Sequence, residues 1–134
     1  MSFVFDSGAI IALFRDEEGA DVVQRLLLDA GQVRLVHAVN LCEVYYGFRR
    51  ERDEREAQRV VEALTATGVT VREDMDRAFW EEAGRYKSDL ARISLADCFC
   101  LTLARRTDSE IVTTDHNEFG KVAEQGLCGV RFVR

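Results

Sequence analysis

Residues 3–14 read FVFDSGAIIALF, and this stretch decides the fold. Its first three residues form a short apolar run of the kind that favours a β-strand. Asp6-Ser7-Gly8 then form a polar turn, and the apolar residues from Ala9 to Phe14 begin a helix. The sequence therefore predicts a strand, a turn and a helix in direct succession, with an acidic residue at the carboxyl end of the strand.

The same alternation continues along the rest of the chain. Further strands are predicted at residues 33–36, 69–71, 111–113 and 130–133. The spacing of apolar residues predicts helices over 17–30, 39–48, 51–66 and 76–86, and from a cap at Ser94 to Arg106. Gly31 and Gly68 are typical helix ends. Strands that alternate with helices predict an α/β domain with a mainly parallel sheet of about five strands.

Size and composition favour one compact domain. The chain has 134 residues, of which 47% are hydrophobic, and we expect residues 1–134 to form a single domain with an ordinary core. No apolar run approaches the roughly 18 to 20 residues of a membrane helix, and the N-terminus lacks the features of a signal peptide. We therefore expect a cytoplasmic protein without a membrane segment.

The four cysteines form no CxxC pair. Three of them, Cys42, Cys98 and Cys100, lie in apolar runs, where we expect free thiols to pack as small hydrophobic side chains in a reducing compartment. The formal net charge is -6, whereas binding to nucleic acid normally depends on Lys and Arg. Chemistry on a nucleic acid would therefore require added cations.

Two acids, Asp6 and Asp115, each come directly after a predicted strand. In parallel α/β sheets the ligand site lies beyond the carboxyl ends of the strands, so both side chains are expected to face one crevice. For Asp6 taken alone, a helix cap or a turn is an equally good interpretation.

Asp97 and Glu43 lie in surroundings too apolar for ordinary surface acids. Asp97 interrupts ISLADCFCL (93–101). A helix dipole stabilises an acid by about 0.3 to 1 kcal/mol, but burying an unpaired carboxylate costs more than that, so a cation is the better partner. Glu43 has the same character within VNLCEVY (39–45), with a salt bridge to Arg49 or Arg50 as the alternative.

If these acids converge, the cluster needs protons or a divalent metal, because two carboxylates about 4 Å apart repel by roughly 4 kcal/mol at an effective dielectric of 20. Oxygen donors without a His/Cys set select magnesium or manganese rather than zinc. The only histidines are His37 and His116. His116 adjoins Asp115, but a loop histidine is more often a surface residue, and no role is assigned to it.

Four segments occur in an order and at a spacing that resemble one known family. They are VFDSGA (4–9), NLCEVYYG (40–47), LADC (95–98) and VTTDHNEF (112–119). Together they look like a PIN domain of the VapC type, and the resemblance spans nearly the whole chain. It implies a three-layer α/β/α sandwich with a parallel sheet.

The resemblance also implies a site and an activity. Asp6, Glu43, Asp97 and Asp115 would be the acidic quartet that binds the metal of a ribonuclease, and Glu118 matches a further acid near the metal. Asn117 stands where related domains carry a second acid, so its neutral amide argues against tight binding of a second metal. Ser7 matches a hydroxyl residue that supports the first aspartate or a water molecule.

The implied reaction is endonucleolytic hydrolysis of RNA phosphodiesters by metal-activated water. Mg²⁺ is the implied cofactor, and Mn²⁺ is expected to substitute for it. The resemblance further implies the toxin component of a type II, VapBC-like toxin-antitoxin system, a homodimer, and a cognate VapB-type antitoxin that blocks the acidic pocket.

Two other interpretations of these acidic residues are open. A phosphoryl-transfer enzyme of the haloacid dehalogenase type also begins with a strand and an aspartate, yet it needs a second Asp at position 8, which is Gly8 here. A non-catalytic interaction module on the same fold would have a degenerate site, but all four acids are present.

Five arginines lie among acids between residues 49 and 59, at positions Arg49, Arg50, Arg52, Arg55 and Arg59. Glu51 and Arg55, at i,i+4 spacing, favour the interpretation as a solvated, salt-bridged helix face. The alternative is a surface that contacts RNA phosphates.

Overall fold

Five short strands form one parallel sheet in the computed structural model, which describes residues 1–134. They are β1 (Ser2–Phe5), β2 (Val33–His37), β3 (Thr70–Arg72), β4 (Glu110–Thr113) and β5 (Val130–Phe132). The order across the sheet is β3-β2-β1-β4-β5, and every neighbouring pair is parallel. The predicted parallel sheet of about five strands is confirmed.

Seven helices connect the strands. They are α1 (Ser7–Phe14), α2 (Ala20–Leu27), α3 (Ala38–Glu51), α4 (Glu54–Ala66), α5 (Arg77–Asp89), α6 (Leu95–Arg106) and α7 (His116–Glu124). The helix predicted over 17–30 is shorter at both ends. It begins after Gly19, whose φ of 94° is in the left-handed region. It ends at Leu27, before Gly31. Sequence reasoning did not find α7.

The helices lie in two layers, one on each face of the sheet, as the alternation of β1 shows. Phe3 and Phe5 pack into a hydrophobic cluster with residues of α1 to α4. Val4, between them, packs into a second cluster with residues of α5 to α7. Successive residues of a strand point to opposite faces, so β1 is buried on both sides. The predicted three-layer sandwich is confirmed.

The chain reverses its direction of progress across the sheet next to β1. After β1 it builds outward through β2 and β3, and it then returns to place β4 on the other side of β1. Val4 therefore pairs with Leu35 on one side and with Ile111 on the other. Such a switch point opens a crevice beyond the carboxyl ends of the two central strands.

The cysteines are only partly where the sequence places them. Cys98 and Cys100 are buried, but Cys42 is exposed. The prediction for Cys42 is wrong because the buried residues of α3 are Asn40, Val44 and Phe48. These recur every four positions, and Cys42 falls on the opposite face of the helix.

None of the seven helices has both the length and the apolar character that a bilayer crossing demands.

Candidate metal centre

Asp6 lies at the carboxyl end of β1 and caps α1. One carboxylate oxygen, Oδ1, accepts a hydrogen bond from the backbone N–H of Ala9 at 2.7 Å, and the Thr113 hydroxyl donates to the other. Asp6 is only 2% exposed. Burial raises its pKa to about 7, against the opposing effect of these two hydrogen bonds, and the negative charges of Asp115 and Glu43 raise it further.

Asp115 lies at the corresponding place after β4 and caps α7. Its Oδ1 accepts from the backbone N–H of Glu118 at 3.0 Å, and its own N–H donates to the Thr113 hydroxyl at 2.9 Å. Thr113 therefore connects the two acids across the central strands, since its single hydroxyl donates to Asp6 and accepts from Asp115. Asp6 and Asp115 face the same crevice.

Asp97 and Glu118 meet at the beginning of α6. Ser94 caps this helix by accepting from the N–H of Asp97 at 3.1 Å, and its own N–H donates to Glu118 Oε1 at 3.1 Å. Asp97 is 6% exposed. Burial raises the pKa of Glu118 and the Ser94 N–H lowers it, while the charge of Glu43 raises it again.

Three of these acids form a compact group. Carboxylate oxygens of Asp97, Asp115 and Glu118 lie within 4.8 Å of one another. Asp6 and Glu43 lie outside that radius, although their charges act on the same carboxyl groups. The five acids predicted from the sequence thus lie in one region, with three of them close enough together to share an ion.

Glu43 is held by neutral donors rather than by an arginine. The Ser7 hydroxyl donates to its Oε1 at 2.9 Å, and the Asn40 side-chain amide approaches the same oxygen at 3.4 Å. The alternative salt bridge is wrong, because Arg49 pairs with Glu54 at 2.7 Å and Arg50 pairs with no acid. Neutral donors leave the negative charge of Glu43 uncompensated.

Sequence reasoning missed several residues of this site. Thr113 connects two acids that are far apart in the sequence, and Asn40, which is fully buried, joins Glu43 to the carbonyl of Ala96. Gly8 passes so close that an added Cβ would lie 3.1 Å from the Thr114 hydroxyl. Their one signal in the sequence is that each lies two or three positions from one of the acids.

His116 and Asn117 contribute nothing to the acidic group. The His116 ring stacks on Phe132 with centroids 4.0 Å apart, and its Nε2 contacts the Arg134 carbonyl at 2.7 Å. His116 therefore anchors the last strand to α7. Asn117 is exposed.

The donor set suits a hard divalent cation. The five acids offer only carboxylate oxygens, the donors that Mg²⁺ and Mn²⁺ prefer. None of them is in a salt bridge with Lys or Arg. Clustered carboxylates without salt-bridge partners repel one another. Burial is the main cause of the raised pKa of Asp6, and the charges of Asp115 and Glu43 add to it.

A comparison with protein-family models matches the PIN domain over residues 3–125. Curated proteins yield no significant sequence match. Among solved structures, the chain is similar to VapBC2 from Rickettsia felis bound to a DNA fragment from their promoter, with a TM-score of 0.76, 14% identity and 98% of each chain covered. DNA-bound VapBC from Salmonella typhimurium gives a TM-score of 0.75 at 17% identity, covering 100% of this chain and 99% of that one.

A third similar structure is VapBC-1 from nontypeable Haemophilus influenzae. It has a TM-score of 0.74 and 17% identity, and the match covers 99% of this chain and 98% of that chain. Agreement over nearly the full length of both chains at such low identity reflects a shared fold.

Proposed function

Because the chain belongs to the PIN domain family, whose members are nucleases, we propose that it is a magnesium-dependent endoribonuclease. The observation that carries this proposal is the group of Asp97, Asp115 and Glu118, with carboxylate oxygens within 4.8 Å of one another at the switch point of a parallel sheet. None of its three carboxylates is in a salt bridge with a lysine or arginine.

The cation would be held by Asp97, Asp115 and Glu118, with Asp6 and Glu43 beside them; Mn²⁺ would serve in place of Mg²⁺. A divalent cation supplies Lewis acidity, which lowers the pKa of water and offsets negative charge on a phosphodiester. The side chains of the site fix the positions of the oxygen donors and hold or release protons.

Each acid is kept in place by a partner that leaves it able to bind a cation. Thr113 and the Ala9 N–H hold Asp6, and Ser7 and Asn40 hold Glu43. With a pKa of about 7, Asp6 carries a proton for part of the time near neutral pH and releases it when a cation binds. Mutation of a residue that hydrogen-bonds to a metal ligand typically lowers metal affinity or activity 10- to 100-fold.

A polyanionic substrate would need positive charge at this site. Asp97, Asp115 and Glu118 lie at the switch point of the parallel sheet, which is where parallel α/β sheets bind their ligands. The chain carries a formal net charge of -6. The positive charge that attracts a phosphodiester must therefore come from the bound cation and from the arginines that have no acidic partner.

The proposal includes the biological setting. Each of the three similar structures is of a VapBC assembly, which supports the role of the toxin component in a type II toxin-antitoxin pair, with a VapB-type antitoxin as partner. We also propose a homodimer that acts in the cytoplasm, where its RNA substrate is found.

The test is cleavage of total cellular RNA by the purified protein with Mg²⁺, with cut sites mapped by sequencing. Asp97→Asn and Asp6→Asn are expected to lower the rate more than about 100-fold, beyond the effect typical of outer partners of a metal site. They should also relieve the growth arrest that the active protein causes on expression.

Asp53→Asn is the matched control, since Asp53 caps α4 and is not among the five acids. It should cleave as the unchanged protein does. Full cleavage by Asp97→Asn, or cleavage that persists in the presence of a chelator, would overturn the proposal. A single-stranded DNA of the same sequence serves to test the preference for RNA.

A further inference from the structure

An exposed aromatic residue and an arginine lie on α3 beyond the acid Glu43. Tyr46 is 44% exposed, and the Arg50 guanidinium lies over its ring, 5.2 Å from the centroid. Positions 43, 46 and 50 follow the i, i+3, i+7 spacing of one helix face. A rise of 1.5 Å per residue places Arg50 about 10 Å along the helix axis from Glu43.

Both side chains lack the partners that their neighbours have. Tyr45 donates to Glu54 and Tyr86 donates to Glu82, whereas the Tyr46 hydroxyl has no hydrogen bond within the chain. Arg49 and Arg59 are paired with Glu54 and Glu56.

Arg50 is in no salt bridge. The predicted pair Glu51–Arg55 does not form either, because Glu51 contacts Arg15 at 2.6 Å. The salt-bridged interpretation of the arginine-rich stretch therefore applies to Arg49 and Arg59 but not to Arg50, Arg52 or Arg55.

The chemistry of this pair matches single-stranded RNA. An exposed aromatic ring stacks on an unpaired base, which has a π-face whatever its identity, and an arginine without an acidic partner binds phosphate. The chain has a formal net charge of -6, which repels a polyanion. A guanidinium without an acidic partner, close to the acidic site, supplies the positive charge that a phosphate requires.

We infer that Tyr46 and Arg50 form a platform on α3 that binds single-stranded RNA beside the acidic cluster, with Tyr46 stacking on a base and Arg50 contacting a phosphate. This inference rests on the proposed nuclease function and adds the surface that positions the strand. Neither residue takes part in cation binding.

The experiment measures RNA affinity by fluorescence anisotropy with a labelled twelve-nucleotide single-stranded RNA and Mg²⁺, in the Asp97→Asn background that binds without cleaving. Tyr46→Ala is expected to weaken binding about tenfold, the usual effect of losing one stacked base. Arg50→Ala should weaken binding and reduce the slope of log affinity against log salt by about 0.7, the value of one phosphate contact on a single strand. Tyr46→Phe should bind like the parent.

A second aromatic-arginine pair provides the matched control. Trp80 on α5 is 48% exposed, and Arg77 lies over its ring at 6.0 Å, but Arg77 is paired with Glu81 at 3.0 Å. Trp80→Ala and Arg77→Ala should change neither the affinity nor the salt slope. In the otherwise unchanged protein, Tyr46→Ala should raise KM for cleavage and leave the stabilisation by Mg²⁺ as it was.

The outcomes separate this inference from the proposed function. If the unchanged protein cleaves RNA and the Tyr46 and Arg50 variants keep its KM, its affinity and its salt slope, the platform is wrong and the nuclease remains. No detectable binding in the Asp97→Asn background also overturns the platform. A change in sedimentation with unchanged RNA affinity would assign this face to a contact between copies of the chain. Failure of the unchanged protein to cleave RNA would remove the proposed function itself.

Discussion

Asp6 combines a structural task with a chemical one. Its carboxylate caps α1 through Ala9 and accepts from Thr113, and each of these contacts lowers its pKa. Burial nevertheless prevails and raises the pKa from 3.8 to about 7. The ionised form is therefore costly unless a cation compensates for it. At this residue the stability of the metal-free protein and its capacity to bind metal are opposed.

The pH dependence of stability follows from this pKa. Between about pH 4 and pH 7 the unfolded chain releases the Asp6 proton while the folded chain keeps it, so stability decreases as the pH rises through this window. The full difference between 3.8 and about 7 corresponds to on the order of 4 kcal/mol. In chelator, Asp6→Asn should match the parent below pH 4 and exceed its stability at pH 8, as measured by urea unfolding.

Asparagine is a suitable replacement for this measurement, because it caps helices about as well as aspartate does and carries no charge. Added Mg²⁺ at 100 times Kd should narrow the difference in stability at pH 8, since only the parent gains a complete site and with it about 2.7 kcal/mol. Equal pH profiles for the two proteins in chelator would show that Asp6 titrates at its ordinary pKa.

At the scale of elements, the beginnings of three helices build the site. Asp6 caps α1, Ser94 caps α6 and Asp115 caps α7, and all three positions lie at the carboxyl edge of the sheet. The N-terminus of a helix carries partial positive charge and free N–H groups, which stabilise anions near it. This explains how the fold tolerates several carboxylates in one place before any cation binds.

Ser94→Ala tests the link between a cap and the metal centre. Loss of the cap should cost about 1 kcal/mol of stability. Asp97 lies in the first turn of α6 and Glu118 contacts Ser94. Loosening of this turn should therefore weaken Mn²⁺ binding roughly tenfold. Calorimetric titration with Mn²⁺ measures the second effect.

The control for Ser94→Ala is Asp53→Ala, which removes the cap of α4. It should lower stability to a similar degree and leave Mn²⁺ affinity unchanged. Equal losses of affinity in both variants would mean that general destabilisation, and not the contact at α6, governs binding.

Strong local patterns predicted most elements, and the misses occurred where such patterns are weak. The helix α7 has only Phe119 and Val122 buried, too few apolar positions to establish a helical period. The helix α2 ends at the buried Leu27, well before Gly31. Cys42 sits in an apolar run, but only the angular position on α3 decides that it is exposed.

The site shows the same division between local and long-range information. Asp6, Glu43, Asp97 and Asp115 stand out in the sequence because they follow strands or interrupt apolar runs, whereas Glu118 was predicted only from the resemblance to a family. The contacts that organise them do not, because Thr113 reaches Asp6 and Ser94 reaches Glu118 only after strand order has been established. The resemblance to a family implied the three-layer sandwich, but the order of the strands came only from the structure.

At the scale of the whole molecule, both hydrophobic clusters meet at β1, so disturbance of the switch point reaches both layers.

Mg²⁺ or Mn²⁺ that binds only the native state should raise its stability by mass action, by about 2.7 kcal/mol at a concentration 100 times Kd. A melting curve with millimolar Mg²⁺ should therefore shift upward by several degrees.

Asp97→Asn should remove that shift without lowering the melting temperature in chelator, because the variant loses a ligand and also a buried charge. A parent protein whose melting temperature ignores both cations would contradict the assignment of a metal centre at the switch point.

The placement of β4 beside β1 has a consequence for synthesis on the ribosome. Thr113 is made 107 residues after Asp6, and it reaches Asp6, together with Asp115, only when β4 docks against β1. A nascent chain therefore holds an incomplete set of acids. The proposed nuclease would stay inert towards the messenger and the ribosome that produce it until β4 has been made and has docked against β1.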